Sequence, residues 1–264
     1  MTTCYFSLFF ICLYSKLGHV DPLLKGSYLI QEFKGSLSHE LSILFAIERH
    51  TLMSTALSCA NQCGGDRRCI GLEICKIQEH LYQCRACCGW KKFGKEKANK
   101  NLDSCEYFML VNDDQKGYVN VASKKPTSMS SIYDQTQLSE NAVDGVVVCP
   151  TSRHYLTHTR REHNPWFKID LQQMFDIMSV LMYARQDCCE PGRFKNVMVT
   201  VSNDDQYHAC GFYPGPTYKH DRISVLCESL SRGRFVTLAM DLEPGTTTAL
   251  HVCEVQVYGK RLSL

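Results

Sequence analysis

Residues 185–193 read RQDCCEPGR, two arginines enclosing an aspartate and two adjacent cysteines. Arg185 and Asp187 are two apart at the end of an expected strand, and side chains two apart share a sheet face. Asp187 can therefore hold the Arg185 guanidinium in one orientation through a charge-assisted bond. Arg193 follows after a turn containing Pro191 and Gly192, and His158 lies upstream, before the stretch NPWFKIDL. If the NPWFKIDL and MSVLMYARQD strands form a corner of one sandwich end, His158, Arg185 and Arg193 converge. Two guanidinium forks and an imidazole, with no catalytic base beside them, suit a carboxylate or a phosphate. They equally suit a sugar, whose adjacent hydroxyls and ring oxygen meet arginine donors and an imidazole acceptor. A bridge between Cys188 and Cys189 would close a tight ring, because disulfide Cα atoms normally sit farther apart than one residue step. Strain of that kind tends to mark a site, and the bridge would offer a flat, apolar face to the carbon side of a sugar. In the competing arrangement, the two cysteines bridge to different partners and the arginines make surface salt bridges.

Stepping outward from these residues, the chain has 264 residues, enough for two domains. Its hydrophobic content of 44% and charged content of 21% are those of a globular protein. A net charge of +2 gives no support to nucleic-acid binding. The apolar start, CYFSLFFICLY, has the length of a signal-peptide core and is too short to span a bilayer, so residues 1–18 are expected to be a signal peptide. A buried N-terminal strand is the other reading. Removing Cys4 and Cys12 with that segment leaves 14 of the 16 cysteines, an even number that reads as a disulfide framework made in the secretory pathway. No Asn-x-Ser/Thr sequon occurs, and no other stretch is long enough to cross a membrane.

The cysteines divide eight and six, between Cys59 and Cys105 and between Cys149 and Cys253. Each half can close its own bridges, with VNDDQKG (111–117) as the natural linker. The first half, taken as a module over 28–112, offers one helix, TLMSTALSCANQC. Its Cys59 and Cys63 share a face, so bridges can pin the helix to a small sheet. CIGLEIC and CEYFMLV alternate like strands. KKFGKEKANK (91–100) reads as a solvated loop, with a heparin-like partner as the alternative. CRACC suggests zinc, but eight cysteines in a secreted chain favour disulfides. This half loosely resembles the PAN/apple modules of extracellular proteins. From about 118 onward, YVNVAS, WFKIDL, MSVLMYA, FKNVMVTVS, RISVLC, GRFVTLAM and LHVCEVQVYG are strands punctuated by Gly, Pro, Asn and Asp, the pattern of an all-β sandwich or barrel.

Catalytic signatures do not appear. There is no Gly-x-Ser-x-Gly elbow and no phosphate loop. HELSI has Ile43 where a zinc-protease helix needs its second histidine. Oxidised cysteines leave no thiolate nucleophile. A binding module is favoured over an enzyme.

The stretch NVASKKPTSMSSIY…SENAVDG…THT…NPWFKIDL…ARQDCC…VCEVQVYG closely resembles the F-type lectins, the fucose-binding lectins typified by eel fucolectin, over 118–260. The resemblance implies a jelly-roll, discoidin-like β-sandwich, preceded here by the small disulfide-rich α+β domain. It implies calcium-dependent recognition of fucose, with His158, Arg185 and Arg193 bonding the sugar, Asp187 orienting Arg185, and a Cys188–Cys189 bridge packing on the ring. It implies a structural calcium held by Asn141, Asp144, Val146, Tyr155, Cys253 and Glu254. Calcium takes six to eight oxygens, many from backbone carbonyls, so Val146, Tyr155 and Cys253 can serve. It also implies a Cys210–Cys227 bridge. Two departures stand out. The family usually has four residues between the aspartate and the second basic residue, and here CCEPG makes five. Leu156 replaces a cysteine that bridges to the equivalent of Cys253. Cys149 is the unmatched cysteine nearby, so Cys149–Cys253 is expected.

The reading is a secreted, extracellular, calcium-dependent lectin for fucosylated glycans, with a homo-oligomer among its expected forms and recognition or innate defence as its setting. It does not insert into membranes. The rivals are a discoidin-like adhesion module contacting protein or lipid through its loops, and a glycan-processing enzyme.

Overall fold

The computed structural model describes residues 27–34, 43–69, 71–93, 105–112, 117–148, 156–185, 193–203, 206–219, 221–227 and 231–262, with the side chains of 27–34, 91–93, 107 and 109–112 left outside that description. The expected signal peptide, 1–18, lies outside the described residues.

The first half folds as the alternation in CIGLEIC and CEYFMLV predicts. Strands β1 (Ser27–Lys34), β2 (Ile43–Arg49), β3 (Gly71–Gln78), β4 (Leu81–Cys87) and β6 (Cys105–Asn112) form an antiparallel sheet in the order β1-β6-β3-β4-β2. Helix α1 (Leu52–Gly64) packs on it. Thr51 caps the helix, its Oγ1 accepting from the Ser54 amide at 3.2 Å, and Thr55, Cys59 and Cys63 make the buried stripe. Cys59 bridges to Cys84 on β4, closing a loop of 25 residues, which by chain entropy stabilises the fold by about 3 kcal/mol. Cys63 bridges to Cys69, Cys75 to Cys105, and Cys87 to Cys88. All eight cysteines of this half are thus paired among themselves, and CRACC keeps no thiolate for a metal. The vicinal pairing of Cys87 with Cys88 is not one that the spacing pointed to.

The second half is an antiparallel β-sandwich. Its strands are β7 (Val119–Asn120), β8 (Thr127–Met129), β9 (Thr157–His158), β10 (Trp166–Tyr183), β11 (Val197–Ser202), β12 (Tyr207–Tyr213), β13 (Arg222–Leu226), β14 (Arg232–Met240), β15 (His251–Val252) and β16 (Glu254–Arg261). The alternation in VMVTVS and CEVQVYG predicted β11 and β16. WFKIDL and MSVLMYA, expected as two strands, are one strand of 18 residues, β10. Its first part pairs with β8 and β14 and its second with β13 and β16, with the β14 register shifting between Asp170 and Phe175. The chain bends there because Gln172 takes a φ of +67° and its amide donates to Asp170 Oδ1 at 2.8 Å. Arg234 holds the same carboxylate through Nε and Nη2 at 2.6 and 2.7 Å, and these bonds keep the Asp170 carboxyl below the usual carboxylate range. One continuous strand therefore belongs to both layers. The core between the layers is Phe167, Ile169, Val180, Met182, Val199, Leu238, Val255 and their neighbours. The Cys210–Cys227 bridge forms as expected and ties β12 to the end of β13. Gly211 sits at that contact, where a Cβ would lie 2.7 Å from Val225 Cγ1.

The two halves share a sheet. Strand β5 (Trp90–Phe93) comes from the first half, pairs with β13 and forms an edge of the C-terminal sheet. Residues 91–93, expected in a solvated loop, are therefore strand, because β13 offers them an open edge. Trp90 is buried in the sandwich core, with its ring edge-on to Tyr213 at 5.0 Å. Arg67, just after α1, donates to Asp176 Oδ1 at 2.9 Å, to the Cys227 carbonyl at 3.2 Å and to the Ile177 carbonyl. Removing an aromatic from such a core costs about 3–5 kcal/mol. Trp90→Ala should lower the melting temperature of the C-terminal sandwich as well as of the first half, read by near-UV circular dichroism. Unchanged melting of the sandwich would mean that β5 is a loose appendage.

Candidate functional site

One end of the sandwich gathers the residues singled out by chemistry. β10 ends there at Tyr183, β16 begins there at Glu254, and the two residues are register partners. The small β9–β15 sheet closes that end, with His158 opposite His251 and Thr157 opposite Val252. The loop over 131–138 lies on β9. The Tyr133 amide donates to the His158 carbonyl at 3.0 Å, and Thr157 Oγ1 donates to the Leu138 carbonyl at 2.8 Å.

His158 is 7% exposed. Its Nδ1 lies 2.6 Å from the Thr159 carbonyl. A carbonyl only accepts, so Nδ1 carries a proton, and in the neutral imidazole Nε2 is then the acceptor. The exposed Tyr133 ring lies 4.7 Å from the imidazole. The ring of His251, also buried, lies 5.4 Å from it. Beyond His251 lies Phe194, at 6.5 Å. Phe194 is buried and follows Arg193 directly, so the second arginine leaves the core at the far end of this row of rings. The Arg193 carbonyl accepts from Thr248 Oγ1 at 3.5 Å. Arg185 is partly exposed and follows Ala184, whose amide donates to the Asp221 carbonyl at 2.8 Å. Cys253 sits between β15 and β16. Its amide donates to the Tyr183 carbonyl at 2.9 Å, and its sulfur is 3.3 Å from the Ala184 carbonyl. The backbone at His158, Arg185 and Arg193 is thus assembled around His251 and Cys253. Asp187, Cys188 and Cys189 lie outside the described residues.

Of the residues expected at a cation, Asp144 and Glu254 meet at this end, with Asn141 and Val146 in the chain segment leading to and from Asp144. A 3-10 turn over Ser139–Val143 buries Ala142 and Val143 and delivers Asp144. Gly145 continues with a φ of +93°, which an L side chain would strain, and its amide donates to Glu254 Oε2 at 3.3 Å. Asp144 Oδ1 accepts from the Val146 amide at 2.7 Å. Asn141 spends its Nδ2 on the Thr136 and Leu156 carbonyls at 2.9 and 3.3 Å, which leaves Oδ1 as its remaining oxygen. Glu254 is fully buried, and its Oε1 has no hydrogen-bond partner among the described residues. Burial, and secondarily the nearby Asp144 charge, push its carboxyl up to about 7 against the pull of the Gly145 amide. A buried carboxylate of this kind needs a counter-charge. Two carboxylates and an amide oxygen are hard oxygen donors, and they fit a calcium-type cation. Val146 is 40% exposed beside them. Cys253 is in a disulfide, while its expected partner Cys149, like Tyr155, lies outside the described residues.

The model of the NedA-like, galactose-binding domain matches residues 141–238. The chain is 29% identical over 121 residues to fucolectin-1 of Anguilla japonica, covering 44% of this chain and 65% of that one. It is 28% identical over 124 residues to fucolectin of Anguilla anguilla, covering 45% and 75%. The C-terminal half is thus similar to the fucolectins and to the galactose-binding domain family. The pentraxin fusion protein of Xenopus laevis is 27% identical over 153 residues, covering 56% of this chain and 35% of that one. The chain thus spans about a third of the pentraxin fusion protein and under two thirds of fucolectin-1.

Sequence reasoning missed Tyr133 and His251 at this end of the sandwich. His251 lies in ALHVC, where Leu250, His251 and Val252 are all buried. An inward histidine that breaks strict alternation was the available signal.

In the cation-free protein, Glu254 has a folded-state value near 7 and an ordinary value of 4.5. The folded state then binds more protons than the unfolded state across that window, so stability is full below 4.5 and is lost as pH rises towards 7. Thermal melts in chelator from pH 4.5 to 8 should show this loss, and Glu254→Gln should flatten it. A parallel slope in both proteins would remove Glu254 as the cause.

Proposed function

We propose that the C-terminal half binds glycans with terminal fucose, in a calcium-dependent manner, as a secreted protein. The single observation that carries this reading is His158, buried with its tautomer set by the Thr159 carbonyl, in the same frame as the stretches bearing Arg185 and Arg193. Neutral imidazole Nε2 accepts from one sugar hydroxyl, and the two guanidiniums donate to its neighbours and to the ring oxygen. Asp187 orients Arg185, and a Cys188–Cys189 bridge packs on the apolar face of the ring. Calcium, held by Asn141, Asp144, Val146, Tyr155, Cys253 and Glu254, neutralises the two carboxylates and stiffens the loops that frame the pocket. The buried carboxylate of Glu254 supports that assignment. A single site of this kind binds weakly, so useful avidity requires several sites on one particle. The names of the eel relatives support fucose as the sugar.

A second reading has its own observation. Ile132, Tyr133, Val146 and Val148 are exposed in the loops of this end, and such side chains also suit an adhesion module that contacts protein or lipid.

A glycan array with and without chelator separates the two. Fucosylated glycans should be retained with calcium and lost in chelator. Arg185→Ala should weaken fucose binding about 10- to 100-fold, the worth of hydrogen bonds from a charged donor. A folded protein that retains no glycan would favour the adhesion module, and turnover of a fucoside would favour an enzyme.

A further inference from the structure

The row of rings at the site has a middle member with no part in the sugar contacts proposed above. Tyr133, His158, His251 and Phe194 follow one another at centroid distances of 4.7, 5.4 and 6.5 Å, with interplanar angles of 37°, 31° and 41°. The outer residues are held at their backbones. Tyr133 is tied through its amide to the His158 carbonyl, and the Phe194 carbonyl accepts from the buried Thr217 hydroxyl at 2.7 Å. His251 is fixed by its backbone. It is the register partner of His158, and the neighbouring Leu250 exchanges bonds with Thr159, amide to Oγ1 and amide to carbonyl, both at 2.9 Å. The His251 ring therefore neighbours both the His158 ring and the Phe194 ring.

We infer that His251 is a positioning residue for the sugar site. It spaces His158 from Arg193 and so sets which pair of sugar hydroxyls the imidazole and the second guanidinium can bridge. The inference rests on the fucose-binding reading above and extends it to specificity. Two physical points support it. A ring against a ring resists the rotation that would swing Nε2 of His158 away from a ligand, and tilted aromatic pairs at these distances attract beyond their buried area. The seat of Phe194 also decides where Arg193 leaves the core, and that matters here because the stretch between Asp187 and Arg193 is one residue longer than usual for the family. Imidazole and phenyl are flat rings of the same thickness, whereas a branched aliphatic side chain is not flat. The spacing between the two sugar contacts is thus set by a flat ring at residue 251.

The test replaces the ring face without replacing the burial. His251→Phe keeps a flat ring between His158 and Phe194, while His251→Leu keeps apolar volume and loses the face. L-fucose titrations of the full chain in calcium should show binding within about twofold of wild type for His251→Phe and weakened about tenfold for His251→Leu, the range expected for ring pairs. Thermal melts check that both fold. In the His251→Leu background, Arg193→Ala should cost much less than it does in wild type, because the two act through one geometry. In the sugar-free protein, the His158 ring protons should lose the His251 share of their ring-current shift in His251→Leu, with the Tyr133 share left, and keep a shift of that size in His251→Phe, a readout that needs no ligand. His251→Leu binding as tightly as wild type, or His251→Phe losing as much as His251→Leu, overturns the inference. Wild type and Arg185→Ala are titrated alongside. If wild type takes no fucose, the fucose-binding reading fails first and the inference falls with it. If wild type binds and only the His251 pattern is absent, the inference alone fails.

Discussion

Everything at the site hangs on the continuity of β10. One strand of 18 residues is shared by both layers of the sandwich, so the layers cannot shift against one another without breaking it. The bend that allows this sits far from the site, at Asp170 and Gln172, where a left-handed residue and the Asp170–Arg234 pair turn the chain. From there the strand runs to Tyr183, and its last register partner is Glu254. Arg185 is therefore aimed from a strand clamped on both sides, by β13 and by β16. A site built at the end of such a strand is preorganised, which lowers the ordering cost of capturing a small ligand.

The same end carries an unbalanced electrostatic load. Glu254 is buried, with Asp144 nearby and the Gly145 amide donating to it. Folding alone does not compensate such a group. The loops over 139–148 depend on what neutralises it, and those loops border the end at which the sugar contacts are proposed. Charge balance at Glu254 and geometry at His158 are thus linked through a short stretch of chain. The first half adds a second constraint, because β5 and Trp90 are built into the sandwich.

Much of this architecture was legible in the sequence. Period-two alternation in VMVTVS and CEVQVYG marks β11 and β16, because strands with one face buried must alternate. Cys59 and Cys63 at helical spacing marked the bridged face of α1. The unity of β10 was not legible, because QQMFD has the polar content of a turn and only the tertiary setting holds it extended. The capture of β5 was hidden for a similar reason. WKKF begins a run of lysines, and its strand state comes from the open edge of β13. His158 and Arg185 stood out by type and spacing. His251 did not, since a histidine inside an apolar strand looks like core until its neighbours are seen.

The central claim is that a sugar docks against His158 and Arg185 at an end of the sandwich balanced by a cation at Glu254. A crystal structure of the full chain grown with calcium and L-fucose tests it most directly. The account predicts one fucose per chain with a hydroxyl on His158 Nε2 and the Arg185 guanidinium alongside, and a calcium ion bound to Glu254 and Asp144. Fucose bound elsewhere on the surface, or bound at this end with no cation on Glu254, would contradict it.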